Sequence, residues 1–221
     1  MTTKEALTKT FELLYKFYGP QGWWPAASHF EMMVGAVLTQ NTSWRNAEIA
    51  LSRLRNSDKL SPMSILELSD CELWDLIRPS GFYKNKARTL QAVACYYINI
   101  GNSFNEFTIA EMNNLRSQLL TIRGIGQETA DDIILYAAKL PSFVVDSYTV
   151  RVLGRLSIAP TNKSYSYYKD LIEQNLDRDV ELWGEFHALL DTHAKYFCTK
   201  NHPKCDSCCL WSICDYDKKS A

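Results

Sequence analysis

No stretch of this sequence is apolar for long enough to cross a bilayer as a helix, which takes about 20 residues. The opening residues Met1-Thr2-Thr3-Lys4-Glu5 lead into an amphipathic pattern without an apolar leader core. The expectation is a cytoplasmic protein with no membrane contact. Neither sign of charge is in excess. Lys and Arg number 24 against 25 Asp and Glu, a net charge of -1. That excludes a protein holding polyanions through its bulk field, so any nucleic-acid affinity must come from a local patch. Alternating apolar and polar runs are nearly missing too, and Val144-Val145 is the one short extended candidate. Internal repeats and low-complexity tracts are absent. What is present is a chain of 221 residues, 46% hydrophobic, enough for a sizeable core in one large domain or two small ones.

The periodicity is helical. Leu7, Phe11, Leu14 and Tyr18 share one helix face, stopped by Gly19-Pro20. Trp23-Trp24-Pro25 follows as a loop. Phe30 to Leu38 is apolar enough for a buried helix, Glu48 to Leu54 continues as helix, and Lys86 to Ile100 is another. Ser61-Pro62 and Ser80-Gly81 mark turns. The class is all-α.

Seven cysteines are present, and five crowd the C-terminal end. In a reducing compartment such crowding points to metal rather than disulfides. Cys198, Cys205, Cys208 and Cys214 read C-x6-C-x2-C-x5-C. Four thiolates suit a [4Fe–4S] cluster or a tetrahedral zinc ion. Zinc sites more often show two close pairs, and only one such pair is used here. Cys209 is left over, while Cys71 and Cys95 sit in apolar helical contexts that read as core. Lys200, His202 and Lys204 form either a small basic surface or an ordinary solvated loop.

Two further segments carry chemistry. Leu115, Leu119 and Ile122 close one helix, Gly124-Ile125-Gly126 makes a tight turn, and Ala130, Ile133, Ile134, Ala137 and Ala138 pattern the next. Glycines flanking one apolar residue let the backbone turn sharply and leave amides open to a phosphate oxygen. An ordinary helix–turn–helix packing unit fits the same residues. Asp146 precedes a helix containing Val150, Leu153 and Leu156, where taken alone it reads first as a plain N-cap, and otherwise as a carboxylate held at the positive end of a helix.

Ile122-Arg123-Gly124-Ile125-Gly126-Gln127-Glu128-Thr129-Ala130, followed by Pro141-Ser142-Phe143-Val144-Val145-Asp146, resembles the helix–hairpin–helix of the endonuclease III superfamily of DNA glycosylases. The resemblance runs from about Phe30 to Cys214, and the four-cysteine spacing matches that family's iron–sulfur loop. Trp23-Trp24-Pro25, Gly35 to Thr42 and Arg78 to Ala87 are most similar to the bacterial 3-methyladenine DNA glycosylases of the superfamily. Members of that branch generally lack the iron–sulfur loop that this sequence keeps.

The resemblance implies a two-domain fold, with residues 28–139 as a helical domain holding the hairpin. Residues 1–27 and 140–221 would form the second domain with the [4Fe–4S] cluster, and the site would lie in the cleft between the two. It implies a monomeric glycosylase acting on a damaged base in duplex DNA, at the nucleoid in a prokaryote. Asp146 would be catalytic, stabilising the oxocarbenium ion that grows as the N-glycosidic bond breaks. Gly124, Ile125 and Gly126 would hold the DNA backbone. Trp23, Trp24 and Trp44 would line the base pocket. Gln40 would fill the space the extruded base leaves, and Phe82 would be the apolar wedge inserted opposite. Bifunctional members carry a Schiff-base Lys where this sequence has Glu128, and Lys139 is misplaced along the helix to replace it, so the implied enzyme has no lyase step. The favoured substrate is an alkylated purine such as 3-methyladenine, already cationic and suited to tryptophan faces. The rivals are a glycosylase for oxidised pyrimidines or mismatched bases, a non-catalytic iron–sulfur DNA-binding module, and a zinc-stapled structural protein.

Overall fold

The computed structural model describes residues 1–216. Its regular elements are all helical, and none of its helices is long and apolar enough to cross a membrane. The chain divides into two units, one spanning Trp24–Leu140, the other formed by Met1–Trp23 with the chain from Pro141 onward. The sequence-based boundaries lay at 27/28 and 139/140.

The Trp24–Leu140 unit is arranged around helix α2 (His29–Thr39). Every residue from Phe30 to Leu38 is buried, as a helix apolar on all sides requires. Glu31 is the one acid among them, and it is neutralised by the Arg55 guanidinium. Around α2 pack α3 (Trp44–Asn56), α6 (Tyr83–Asn99) and the second hairpin helix, α8 (Gln127–Asp132). Between α3 and α6 come α4 (Pro62–Glu67) and α5 (Asp70–Ile77). Helix α7 (Met112–Thr121) leads into the hairpin, and α8 continues as a π-helical turn over Ile133–Ala137.

The other unit holds α1 (Thr3–Tyr18), α9 (Ser147–Arg155), α10 (Tyr165–Glu173) and α11 (Val180–Tyr196). Helix α11 packs on both α1 and α9. Phe186 meets Phe11 edge-on at 5.8 Å, and Trp183 meets Phe143 at 6.3 Å. Short 3-10 turns at Cys205–Ser207 and Trp211–Ile213 shape the terminal loop.

Two sequence expectations need correction. Cys71 and Cys95 are exposed, not core. On α5 the buried positions are Leu73 and Ile77, and on α6 they include Val93, Ala94 and Tyr97, so helical phase turns both thiols outward. Val144-Val145 is buried but forms no strand among the described residues. It belongs to an irregular segment leading to Asp146.

The hairpin helices are braced internally. Arg116 on α7 grips the fully buried Asp131 on α8 in a bidentate pair at 2.9 and 3.0 Å. Arg116→Met leaves that carboxylate buried without its cation and is expected to cost about 3 kcal/mol or more of stability. Arg116→Met with Asp131→Met should recover most of the loss. Denaturant titration of both variants checks this; equal stabilities for the single variant and the wild type would remove the pair's structural role.

Candidate active site

The hairpin turn is built on Gly124, whose φ of +96° suits glycine alone, and a Cβ there would stand 2.1 Å from Thr89 Oγ1. Thr89 uses that closeness, donating to the Arg123 carbonyl at 3.1 Å. Ile125 is buried as the anchor of the turn, while Gly124 and Gly126 are exposed. Gly126 caps α8, and Glu128 follows in its first turn, a position that suits a negative charge. Lys139 lies past the π-helical turn, exposed and with φ +53°.

Gln40, expected as an inserting residue, ends α2 and turns to the hairpin. Its side-chain amide donates to Gly124 O and Thr129 Oγ1, both at 2.9 Å. Phe82, the other expected insertion, is 68% exposed and sits left-handed at φ +47°, a strained place for an aromatic residue. A large apolar side chain held out from the surface on strained backbone is what a wedge requires.

Trp24 and Trp44 meet edge-on, centroids 5.5 Å apart and planes at 85°. Gly35 makes room for Trp24, since a Cβ there would lie 3.0 Å from the indole nitrogen. Tyr136 adds a third ring, 5.6 Å from Trp24. Tyr136, which no sequence motif singles out, comes from the π-helical turn. Trp23 belongs to the other unit, at its boundary.

In that other unit, Asp146 caps α9, its Oδ1 accepting from the Thr149 amide at 2.7 Å. Capping does not distinguish it, since Asp179 caps α11 in the same way at 2.9 Å. What sets Asp146 apart is its second oxygen, 3.9 Å from Nε2 of the buried His187. Burial pushes the pKa of His187 below the usual histidine range, against the pull of Asp146 and Asp191. Burial also raises Asp191, while Lys195, 2.7 Å away, draws it back. The imidazole next to Asp146 is therefore held toward its neutral form. His187 was missed in the sequence because α11 carries no recognisable motif at that position.

Cys198, Cys205, Cys208 and Cys214 all line one small cavity of about 20 Å³, and Cys209 does not. Burial pushes the Cys209 thiol up to about 11, and it raises Cys208 and Cys214 as well. The loop is tied to α9: Arg151 donates to Cys198 O and Ala194 O, and Arg155 donates to Thr199 O, Lys200 O and, at 3.2 Å, to Cys198 Sγ. His193 Nε2 lies 3.5 Å from Cys208 Sγ, with Tyr18 on its other nitrogen at 3.0 Å. Among the described residues no three His, Cys, Asp or Glu side chains gather closely enough to chelate a single metal ion. Lys200, His202 and Lys204 are exposed.

Residues 34–178 match the model of the HhH-GPD superfamily of base excision DNA repair proteins. A Methanocaldococcus jannaschii protein, whose name provisionally places it among DNA repair glycosylases, is 42% identical over 213 residues, 95% of this chain and 96% of its own. Endonuclease III of Sulfolobus acidocaldarius is 27% identical over 188 residues, 85% of this chain and 82% of its own. A trapped endonuclease III–DNA covalent intermediate shares the fold with a TM-score of 0.83 at 24% identity, covering 100% of this chain and 99% of its own. The 3-methyladenine DNA glycosylase of H. pylori, bound to 1,N6-ethenoadenine, has a TM-score of 0.72 at 28% identity, covering 88% of this chain and 98% of its own.

The His187 environment predicts a pH dependence. With its folded pKa lowered by burial, native His187 stays neutral while the unfolded chain takes up a proton below about pH 6.5. The unfolded state then binds more protons, so stability falls as pH drops through that range and returns as pH rises. Raised Asp191 acts oppositely, but only in the carboxylate range. His187→Gln should therefore show a shallower loss of melting temperature between pH 7 and pH 5 than the wild type. An unchanged slope would mean that His187 is protonated in the native state.

Proposed function

This chain belongs to the HhH-GPD superfamily of base excision DNA repair glycosylases, and within it we propose that it hydrolyses the N-glycosidic bond of alkylated purines such as 3-methyladenine, leaving the DNA backbone intact. The observation that carries the reading is the Trp44 ring set edge-on against Trp24 over Gly35. Such a wall presents aromatic faces to a base that is already cationic, where cation–π attraction favours it over a neutral one. The likeness to the H. pylori 3-methyladenine glycosylase supports the same substrate class.

Catalysis falls to Asp146. As the glycosidic bond lengthens, positive charge spreads over the deoxyribose, and a carboxylate anchored on the α9 amides stabilises it without reorganising. Its outer oxygen orients the attacking water and takes its proton. A cationic purine leaves without a strong general acid, so a neutral His187 is no handicap. The Gly124-Ile125-Gly126 turn, exposed at its two glycines, holds a phosphate with its backbone and the start of α8. Gln40 and Phe82 occupy the space vacated by the base, with Gln40 exchanging its hairpin bonds for those of the orphaned partner. Glu128 cannot form an imine, so the lyase route has no nucleophile at that position.

The four cysteines fit a [4Fe–4S] cluster better than zinc. Sulfurs around one tetrahedral zinc stand about 3.8 Å apart, as the 2.3 Å Zn–S bond dictates, whereas among the described residues no three of these side chains gather that closely. Bound there through Cys198, Cys205, Cys208 and Cys214, a cluster would cross-link the terminal loop and offer one-electron chemistry. Arg155 would lend a hydrogen bond to the Cys198 thiolate.

Base release from methylated duplex DNA, with the product identified by chromatography, tests the substrate directly. Free 3-methyladenine and an intact abasic strand are expected, with no covalent complex trapped by borohydride. Release of an oxidised pyrimidine instead, or efficient trapping, would favour an endonuclease III-like activity. In single turnover, Asp146→Asn should slow release at least ~100-fold, the scale of one lost electrostatic stabiliser, while duplex binding holds. Wild-type rates in folded Asp146→Asn would reduce the residue to a helix cap.

The metal assignment is checked separately. Protein purified with its metal should be yellow-brown and contain about four irons per chain, as a [4Fe–4S] cluster requires. One zinc and no iron would overturn it.

A further inference from the structure

Lys86 is buried on α6, only 4% exposed, and no carboxylate neutralises it. Its ammonium instead donates to two backbone carbonyls, Leu38 O at 2.8 Å and Ser80 O at 2.7 Å. The two carbonyls belong to segments far apart in sequence, the end of α2 and the 3-10 turn Arg78–Ser80 that precedes α6. Each lies two residues before a side chain assigned above to DNA insertion: Leu38 before Gln40, and Ser80 before Phe82. Each is also followed by a left-handed non-glycine residue, Asn41 at φ +52° and Phe82 at φ +47°.

A lone ammonium is an expensive way to fill a core. Burial without a counter-ion lowers its pKa to about 8, and a methionine would occupy similar volume without that penalty. What methionine cannot do is hold two carbonyls at once from a single point. Both carbonyls are at helix ends, where no intrahelical donor remains and a cation is favoured. The ammonium therefore fixes the spacing between two strained turns that nothing else joins so directly.

We propose that Lys86 is a positioning residue that couples the two inserting elements, so that Gln40 and Phe82 enter the duplex as one unit. The inference rests on the assignment of those two residues to insertion. Lys86 itself touches no DNA in this scheme. It sets the distance between the residue that enters the gap and the wedge, and so acts on extrusion rather than on phosphate binding or on the chemistry at Asp146.

The test uses the full-length protein and a duplex carrying an abasic-site analogue with 2-aminopurine as its neighbour, whose fluorescence rises when it is unstacked. Gln40→Ala, Phe82→Ala and the double variant are compared with Lys86 present and in a Lys86→Met background. With Lys86 present, the two single changes should weaken binding to this duplex non-additively, by about threefold or more, as coupled pairs do. With Lys86→Met the fluorescence rise should be largely lost, affinity for undamaged duplex should be kept, and the remaining effects should add within about twofold. Full fluorescence in folded Lys86→Met, with Gln40→Ala and Phe82→Ala both impaired, would overturn the role of Lys86 and leave the insertion assignment standing. Unchanged binding in Gln40→Ala and Phe82→Ala would overturn both. Should Lys86→Met not fold, the cycle with Lys86 present still decides, because strict additivity there refutes coupling.

Discussion

Helix α2 has no side to give to water, and its C-terminal end must still satisfy the carbonyls that no further turn of helix can reach. The accounting is complete and uses a different donor for almost every group. The Thr39 hydroxyl serves Gly35 O and Ala36 O, the Gln40 amide N–H serves Val37 O, Lys86 serves Leu38 O, and the Thr42 amide serves Thr39 O. Most of these donors are local, and only the Leu38 carbonyl is served from another helix, by Lys86 on α6. From the same end the Gln40 side chain donates to Gly124 O, and Thr89 on α6 donates to Arg123 O of the same hairpin turn. A change at any of these positions is felt at the others, since each fills a carbonyl that the rest cannot reach.

A similar economy holds in the unit built from the chain ends. Helix α9 carries Asp146 at its first turn, while Arg151 and Arg155 on the same helix fasten the cysteine loop. Helix α11 supplies His187 to the carboxylate and His193 to the thiols. Asp146, the carboxylate proposed for catalysis, and the cysteine loop are therefore positioned by the same two helices.

Much of this was legible in the sequence, for identifiable reasons. The helices α1, α2 and α6 announce themselves through period and punctuation, the hairpin through paired glycines, and the start of α9 through Asp146. Groups whose meaning depends on partners distant in sequence were not legible. A lysine reads as solvated unless something shows two carbonyls waiting for it, and Leu38 and Ser80 are brought to Lys86 only by the packing of α2 on α6. His187 needs Asp146, which is in a different helix. Cys71 and Cys95 misled because apolar neighbours on a helix say little about phase when the buried stripe is wide. Tyr136 depends on a π-helical turn that no composition signal marks.

The net charge of -1 bears on how such a chain engages a polyanion. With acids and bases balanced, long-range attraction is weak, and contact must be made by groups that act at short range: exposed amides of the hairpin turn, helix starts, and side chains that enter the stack. Those groups favour no particular base sequence, so they can sample many positions without holding any of them tightly. On the function proposed above, specificity is then left to the step that a damaged base makes easier, its extrusion. An undamaged pair costs the full unstacking energy, a few kcal/mol, with no aromatic–cation contact to offset it. A wedge held rigidly on strained turns is the appropriate instrument for that discrimination, because a flexible one would adapt to the intact stack instead of testing it.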